Sequence, residues 1–336
     1  MKISIIGSGY VGLVSGACLA EKGHQVVCVD VDSNKIKNLN NLDIPIHEEG
    51  LVEIISSNIN KNLNFTTNLK SSILNTDLSI VAVGTPFDGE NIDLQYIKEI
   101  STQIGKILKV KDAYHAVIIK STVVPSTTNK VVTPLLEKFS GKKIGKDFGV
   151  GMNPEFLREG SAVLDFMNPD RIVLGASDIK TSNIMENIYK VFKNVPIVKT
   201  NNQTAEMIKY VNNSFLASVI SFSNEIGNLC STVEEVDAIE VMKGVHLDHR
   251  LSPISEGGNR VFTGLISYMS PGCGYGGSCF PKDTNALVSF GKARGQSMEL
   301  LSSVININDL QYKEITNRIS KYYNDLRNIK VSILGL

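Results

Sequence analysis

The 336-residue sequence predicts an α/β fold, a doubly wound sheet, followed by an all-α central region. Two observations predict this class. Over the first 200 residues, short β-branched runs alternate with segments of helical periodicity, which is typical of a parallel sheet with helices on both faces. From residue 201 onward, apolar residues recur at steps of three and four instead. Because single cores stop growing at roughly 250 to 300 residues, we expect more than one domain.

The first elements follow one another as strand, helix and strand. "KISIIG" (2–7) is a β-branched run that ends in glycine, "SGYVGLVSGACLAEKG" (8–23) has helical spacing, and "QVVCVDVD" (25–32) is a second run. Together they predict a βαβ unit, from which parallel sheets are built. Further strands are predicted at 78–86, 115–123 and 147–154, with helices at 93–109 and 127–139.

The region after residue 201 predicts one long helix of about eight turns. Its apolar stripe consists of Ile208, Val211, Phe215, Val219, Phe222, Ile226 and Leu229. Gly, Ser and Pro then predict loops until helical patterning resumes at 283–297 and 306–324. "KVSILGL" at the end resembles a buried strand that begins a further α/β domain. We therefore predict domains over 1–200, 201–325 and 326–336, the last being a truncated third domain.

Composition excludes several classes of function. The 34 basic and 34 acidic side chains cancel, so the basic excess typical of nucleic-acid binders is absent. No uncharged apolar run approaches the roughly 20 residues that span a bilayer, and the N-terminus lacks a signal-peptide layout, so we expect a cytoplasmic protein. The five cysteines form no C-x-x-C, and Cys273 and Cys279 lie six residues apart. This spacing predicts neither a metal site nor a disulfide framework.

A dinucleotide-binding pattern follows the first strand. Gly7, Gly9 and Gly12 form G-x-G-x-x-G at the start of the first helix, where a tight turn, close backbone approach and helix packing are needed. Asp30 ends the second strand, where a carboxylate accepts hydrogen bonds from a ribose diol and repels a 2′-phosphate. The pattern predicts a Rossmann-like domain that binds NAD rather than NADP. Lys35 would oppose this preference by adding positive charge near the ribose.

Polar residues that end later strands and begin helices form a second group. Thr85 in "VGTP" and Thr122 in "KSTV" are candidates for ligand contacts at the carboxyl edge of the sheet, and capping of the following helix is the alternative for Thr85. "NPEFLREG" (153–160) carries two glutamates. Lys209 and Asn213 lie four apart, hence on one helix face.

With "GYGGSCFPKD" (274–283) added to these motifs, the sequence resembles the UDP-glucose/GDP-mannose dehydrogenase family, most closely its UDP-glucose 6-dehydrogenase members. The resemblance runs from residue 1 to 336 through "GSGYVG", "VGTP", "KSTV", "NPEFLREG", "TAEMIKYVNNSFLA" and "GYGGSCFPKD". It implies an NAD-binding domain, a homodimer formed through the long helix, and a nucleotide-sugar domain. It also implies oxidation of a sugar C6 alcohol to a carboxylate with two NAD, as in UDP-glucuronate and polysaccharide biosynthesis.

The resemblance assigns site residues. Cys279 would be the nucleophile, and the other catalytic residues would be Lys209, Asn213, Asp283, Glu155 and Thr122. The residues that would contact the cofactor are Gly7, Gly9, Tyr10, Val11, Gly12, Asp30, Lys35, Thr85, Thr122, Glu159 and Lys282. Those that would contact the sugar nucleotide are Glu155, Phe156, Leu157, Arg158, Lys209, Asn213, Arg250 from a neighbouring subunit, Tyr268, Tyr275 and Gly276. Cys273 is expected to be a small packing residue.

Elementary chemistry agrees with a thiol in a four-electron oxidation. An aldehyde has no hydride-donating tetrahedral form until a nucleophile adds to it, and a thiolate adduct loses hydride to become a thioester that water hydrolyses. Lys209 and Asn213 would stabilise negative charge on oxygen. Lys209 would alternatively act as the first base.

The sequence departs from the family in two places. Residues 251–267 form an insertion beside Arg250, which leaves the sugar open between UDP-glucose, GDP-mannose and a UDP-N-acetylhexosamine. The third domain is expected to stop after its first strand, so an inactive NAD-binding dimerisation module is a further alternative. A two-electron β-hydroxyacid dehydrogenase shares the first domain and the Lys/Asn pair, but it needs no thiol.

Overall fold

The computed structural model describes residues 1–323, 325, 327–332 and 334. The chain divides into two compact units, which we call the N-terminal unit (Met1–Lys209) and the C-terminal unit (Tyr210–Leu336). The strands are β1 (Lys2–Ile6), β2 (Gln25–Val29), β3 (Leu63–Thr66), β4 (Leu78–Val81), β5 (His115–Ile119), β6 (Phe148–Met152), β7 (Ile172–Ala176) and β8 (Ile197–Thr200).

The helices are distributed over both units. They are α1 (Tyr10–Glu21), α2 (Ser33–Asn40), α3 (Leu51–Asn58), α4 (Leu69–Leu74), α5 (Gln95–Leu108), α6 (Thr133–Ser140), α7 (Ala162–Met167), α8 (Ile179–Tyr189), α9 (Asn202–Cys230), α10 (Ala238–His246), α11 (Phe280–Lys292) and α12 (Glu299–Tyr322). A π-helical turn, Thr128–Val132, leads into α6, and a 3₁₀ turn, Gly264–Tyr268, precedes the cysteine-containing loop.

The N-terminal unit is built on one eight-stranded sheet in the order β3-β2-β1-β4-β5-β6-β7-β8. The pairs from β3 through to β6 are parallel, β6 pairs with β7 antiparallel, and β7 with β8 parallel. The predicted doubly wound α/β fold is thus confirmed. The strands β3, β7 and β8 were not predicted.

The central strands are apolar along their whole length because helices cover both faces of the sheet. On β5, Ile118 joins one buried cluster with Leu13 of α1, whereas Val117 joins another with Ile97 and Ile104 of α5. Alternate residues of one strand therefore belong to different cores, as the two-residue period of a strand requires. This packing of the sheet between two layers of helices fixes the positions of the carboxyl ends of β1, β2, β4 and β5.

The long helix predicted after residue 201 is present as α9, which has 29 residues. It begins in the N-terminal unit and continues into the C-terminal unit. The described part of the C-terminal unit also contains the helices α10, α11 and α12. Many of its buried positions are small or polar, as at Asn213, Ala217 and Ser221, but the large Tyr210 is fully buried as well. Four members of the predicted stripe are instead exposed, namely Val211, Phe215, Phe222 and Leu229.

Two predictions concern features that the structure describes only partly. The strand predicted over 326–336 includes residues 326, 333, 335 and 336, which lie outside the described residues, so it and the three-domain division remain predictions. Within the described ranges, none of the helices combines the length and the apolar character needed to cross a bilayer.

Candidate active site

The glycine motif forms a tight turn between β1 and α1. Gly7 has a φ of +96°, and a Cβ there would lie 2.7 Å from the Ala82 carbonyl oxygen. A Cβ on Gly12 would lie 1.8 Å from the Gly7 carbonyl oxygen, so the start of α1 touches the turn without room for a side chain. At Gly9 a Cβ would meet nothing within 4 Å, which leaves backbone open to a ligand.

Asp30 lies just beyond β2 and is fixed by its neighbours. Its Oδ2 accepts hydrogen bonds from the Ser8 backbone N–H at 2.9 Å and the Lys35 Nζ at 3.1 Å. Burial raises the pKa of this carboxyl, but hydrogen bonds from the Asp32 and Ser8 backbone N–H groups and from Lys35 outweigh burial and hold it below its usual value. Lys35 thus forms an ion pair with Asp30. Asp30 is the residue that predicts NAD rather than NADP, and Lys35 was expected to oppose that preference. The tight turn, the open space at Gly9 and the anchored carboxylate of Asp30 fit a bound NAD.

Tyr10 of α1 is connected to the motif "NPEFLREG" through Glu48, a residue that the sequence did not indicate. The Tyr10 hydroxyl donates a hydrogen bond to Glu48, a buried carboxylate. Glu48 also accepts from the backbone N–H groups of Gly160 at 2.6 Å and Ala162 at 2.9 Å. Burial raises the pKa of Glu48, but these three donors lower it below its usual value. Glu48 therefore ties the end of "NPEFLREG" to the cofactor-binding helix.

Glu155 and Lys209 form a buried ion pair. Lys209 Nζ lies 2.8 Å from Glu155 Oε1, and the two side chains are 4% and 7% exposed. Glu155 Oε2 accepts the Leu157 backbone N–H at 2.6 Å. Burial raises the pKa of Glu155, but the charge and hydrogen bond of Lys209, then the Leu157 N–H and the charge of Lys120, bring it below its usual value. Glu155 is therefore a carboxylate at neutral pH.

Lys120 is a second buried lysine in this region, and the sequence did not single it out. Its Nζ donates to Asn153 Oδ1 at 3.0 Å, and the Tyr189 hydroxyl donates to the same oxygen. Burial and the positive charge of Lys209 lower the pKa of Lys120 to about 8, although Glu155 opposes this change. The signal that would have found it is its position directly after the four consecutive apolar residues of β5, 116–119.

Other predicted residues of the N-terminal unit have the following surroundings within the chain. The Thr85 hydroxyl donates to the Thr122 carbonyl oxygen at 2.7 Å and so joins two loops at the carboxyl edge of the sheet. Arg158 pairs with Asp165 at 2.6 Å, and the Phe156 ring lies 3.9 Å from the Arg171 guanidinium. Glu159 is exposed, and Val11 is half-buried at the start of α1.

In the C-terminal unit, Cys279 immediately precedes α11 and is its N-cap residue. Asp283, one turn later, is buried and accepts Asn213 Nδ2 at 2.7 Å and Lys282 Nζ at 2.6 Å. The backbone N–H groups at a helix N-terminus stabilise negative charge nearby. A half-buried thiol, a helix N-terminus and an oriented amide therefore belong to this unit.

Aromatic and glycine residues surround the cysteine. Tyr268 and Tyr275 pack their rings against Phe280 with centroids 6.4 and 6.2 Å apart. A Cβ on Gly276 or Gly277 would meet nothing within 4 Å, so backbone there is open to approach. The expectation that Cys273 is a packing residue is wrong, because Cys273 is exposed.

Arg250 lies in a turn whose shape depends on the insertion. Its side chain pairs with Asp248, with Nη2 to Oδ2 at 2.6 Å and Nε to Oδ1 at 2.9 Å. Arg260 of the insertion donates to the carbonyl oxygens of Leu247 at 2.8 Å and Ser252 at 2.9 Å. The insertion therefore folds back on the turn that carries Arg250.

Comparison with known proteins gives matches along most of the chain. Residues 1–193 match the NAD-binding domain of the UDP-glucose/GDP-mannose dehydrogenase family, and residues 203–310 match its central domain. UDP-glucose 6-dehydrogenase AglM of Haloferax volcanii is 42% identical over 344 residues, which cover 100% of this chain and 76% of that protein. GDP-mannose 6-dehydrogenase of Pseudomonas aeruginosa is 40% identical over 338 residues, which cover 100% of this chain and 74% of that protein.

A solved structure agrees with these matches. The UDP-glucose dehydrogenase of the hyperthermophilic archaeon Pyrobaculum islandicum superposes with a TM-score of 0.86 at 35% identity, covering 97% of this chain and 72% of that one. The glycine turn and Asp30 lie within the matched NAD-binding domain. The chain belongs to the UDP-glucose/GDP-mannose dehydrogenase family and is an NAD-dependent oxidoreductase.

Proposed function

We propose that this protein oxidises the C6 alcohol of a nucleotide sugar to the carboxylate, converting UDP-glucose to UDP-glucuronate through a thioester on Cys279. The observation that carries the proposal is the Cys279 thiol at the N-terminus of α11. One turn away in the same unit, Asp283 accepts a hydrogen bond from Asn213. A two-electron dehydrogenase has no use for such a thiol.

We propose that the residues whose geometry fits NAD are the ones that contact it. The Gly9 backbone and the N-terminus of α1 would hold the pyrophosphate, and Asp30 would accept from the ribose hydroxyls. Tyr10, Val11, Lys35, Thr85, Glu159 and Lys282 are proposed as further contacts. NAD, when bound, supplies the acceptor for the hydride that leaves C6.

The first oxidation requires that a proton leave the C6 hydroxyl and that its oxygen be stabilised. Lys209 would take this proton as a neutral amine, or stabilise the oxygen as an ammonium, and Glu155 at 2.8 Å supports the ammonium form. Asn213 would donate its second amide N–H to the oxygen, because the first is directed at Asp283. The product of this step is an aldehyde.

The second oxidation requires Cys279. Its thiolate would add to the aldehyde carbon, forming a C–S bond and placing the negative charge on oxygen, where Lys209 and Asn213 stabilise it. Departure of the second hydride, for which a second NAD would be the acceptor, would reform C=O and leave a thioester. Water, oriented by Glu155 with Thr122 and Asp283, would then break the C–S bond and release the acid and the thiolate.

UDP-glucose is the proposed sugar nucleotide, with GDP-mannose as the second candidate. Relatives named for each substrate are 42% and 40% identical to this chain, so overall similarity favours the first only slightly. Phe156, Leu157, Arg158, Tyr268, Tyr275 and Gly276 are proposed substrate contacts, and Arg250 is proposed to serve the site of a neighbouring subunit. A panel of UDP-glucose, GDP-mannose and UDP-N-acetylhexosamines, assayed for NADH formation, distinguishes these candidates.

We also propose a homodimer formed through α9. Phe215 and Phe222 are 54% and 51% exposed on this helix, and burying a whole ring is worth about 1.5 to 3 kcal/mol, so a dimer would gain about half of that at each residue. Phe222→Glu should shift the sedimentation coefficient to that of a monomer. Leu164→Glu, at an exposed leucine of α7, is the matched control and should leave the dimer intact.

The covalent route is tested with Cys279→Ser. A hydroxyl is a far weaker nucleophile toward an aldehyde at neutral pH, so this variant should release aldehyde or stop before the acid. Product analysis by mass spectrometry measures the outcome. Conversion to the acid at the wild-type rate would contradict the proposal.

A further inference from the structure

Two helices hold the loop that precedes Cys279 by means of amide side chains. The Gly272 backbone N–H donates to Asn224 Oδ1 on α9 at 2.7 Å. The Gly272 carbonyl oxygen accepts from Gln311 Nε2 on α12 at 2.8 Å. Both polar backbone groups of this residue are therefore satisfied by side chains from different helices.

A third amide pairs with the backbone of Tyr275 at two points. Asn308 Oδ1 accepts the Tyr275 N–H at 2.7 Å, and Asn308 Nδ2 donates to the Tyr275 carbonyl oxygen at 3.0 Å. Gly274 has a φ of +96°, and a Cβ there would lie 2.6 Å from Asn308 Oδ1. The glycine lets the amide reach the backbone, and the two bonds then fix the orientation of this peptide segment.

The supporting amides are buried rather than solvated. Asn224 and Gln311 are 1% and 4% exposed, and Gln311 Oε1 accepts Asn228 Nδ2 of α9 at 2.9 Å. A buried amide side chain that loses its partner keeps its full desolvation cost, so these contacts resist opening. The loop is thus anchored at Gly272 and again at Tyr275.

The Tyr275 anchor leads directly to the thiol. The Tyr275 ring meets the Phe280 ring edge-on, with centroids 6.2 Å apart and planes at 77°. Phe280 is the first residue of α11, and Cys279 is the N-cap residue before it. A shift of Tyr275 therefore moves the side chain that packs next to the cysteine.

We propose that Asn308 is a positioning residue for Cys279, acting through Tyr275 and Phe280, with Asn224 and Gln311 anchoring the start of the loop. The inference rests on the proposed role of Cys279 as the nucleophile. It assigns Asn308 to the second oxidation, in which the thiol must meet the aldehyde carbon, rather than to binding of the nucleotide sugar.

The expected kinetic effect follows from the two bonds lost. Asn308→Ala removes both, and the rate of oxidation of the C6 aldehyde with NAD should fall about tenfold, while KM for the sugar nucleotide, which Tyr275 is proposed to contact, should change by a smaller factor. Asn308→Asp keeps the size of the side chain but sets a carboxylate oxygen against the Tyr275 carbonyl, so it should lose at least as much.

A second readout does not depend on turnover. In a Cys273→Ser background the remaining cysteines other than Cys279 are buried, so iodoacetamide reports on Cys279. Alkylation of Cys279, monitored by mass spectrometry of the peptide that contains it, should accelerate about threefold in Asn308→Ala because the loop opens more often. Asn306→Ala, at an exposed asparagine of the same helix, is the matched control and should change neither rate. Circular dichroism verifies that each variant is folded.

The outcomes separate this inference from the proposed function. If Asn308→Ala and Asn308→Asp alkylate and oxidise the aldehyde at wild-type rates while Cys279→Ser is inactive, the positioning role is overturned and the nucleophile stands. If both variants slow the two oxidations equally, a general structural role replaces it. If Cys279→Ser still forms the acid, the proposed function itself fails.

Discussion

At the scale of single residues, the decisive feature of the N-terminal unit is a carboxylate buried with two lysines around it. Glu155 is bonded to Lys209, and the charge of Lys120 also lowers its pKa. Removing one partner of a buried pair leaves an uncompensated charge, whereas replacing both partners removes the problem. The pair therefore makes a prediction about stability that is independent of catalysis.

Lys209→Met should lower the free energy of unfolding by about 3 kcal/mol, the smaller end of the usual range, because Lys120 still offsets part of the Glu155 charge. The double variant Lys209→Met with Glu155→Gln should recover most of this loss. Urea denaturation of the wild type, both single variants and the double variant completes the cycle. Additive losses would show that the two groups are not coupled.

The sequence indicated those site residues that belong to a local pattern. Lys209 and Asn213 share a helix face through their spacing, and Cys279 and Asp283 are one turn apart. Glu48 and Lys120 escaped because their partners, Gly160 and Asn153, are distant in sequence and only the fold brings them near. Local periodicity carries no signal for contacts of this kind.

At the scale of elements, the turn from β1 to α1 separates two roles of glycine. Gly12 has no space for a Cβ, since it would lie 1.8 Å from a backbone oxygen, whereas Gly9 has open space. Gly12 therefore serves packing, whereas Gly9 is the position proposed to face the ligand.

Gly12→Ala should destabilise the N-terminal unit by more than about 1 kcal/mol, because backbone must move to admit the methyl group. Gly9→Ala should leave the thermal unfolding midpoint within a few degrees of wild type but weaken NAD binding about tenfold or more, because the methyl group occupies the space proposed for the pyrophosphate. Differential scanning fluorimetry and isothermal titration with NAD measure the two effects. Equal loss of stability in both variants would contradict this division.

Among the elements that were not predicted, β7 (Ile172–Ala176) is a buried apolar run that the sequence does signal, whereas β8 and the start of α12 have weak local signals. β8 (Ile197–Thr200) is an edge strand without a buried residue, so its residues do not form an apolar run. α12 was predicted from 306 but begins at Glu299, directly after Met298 in the left-handed region with a φ of 54°. The central strands and α9 were found because burial on both faces and a long period leave strong patterns.

At the scale of the whole molecule, a buried histidine couples stability to pH. His115 of β5 is fully buried, with Nε2 2.8 Å from the Ser79 hydroxyl and Nδ1 3.2 Å from the Thr76 carbonyl oxygen. Burial, and then the positive charge of Lys111, lower the pKa of His115 to about 3, although the Thr76 carbonyl opposes this. The unfolded chain binds a proton here below about pH 6.5, whereas the native protein does not until about pH 3.

Native stability should therefore fall as pH drops from about 6.5 to 5, with His115 contributing about 1.4 kcal/mol per pH unit once its unfolded form is fully protonated. His115→Gln should be less stable at pH 7.5 but should lose this part of the slope. His47→Gln, at an exposed histidine, should keep it. Urea denaturation at pH 7.5, 6 and 5 measures the slopes, and an unchanged slope in His115→Gln would refute the assignment.

The proposed function of the whole protein depends on a four-electron reaction at Cys279. The ratio of NADH formed to nucleotide sugar consumed, measured at completion with UDP-glucose as the limiting substrate, tests it most directly. Two oxidations on one thiol predict a ratio of two, with UDP-glucuronate as the product. A ratio of one, with an aldehyde or ketone as the product, would contradict the account and identify a two-electron dehydrogenase.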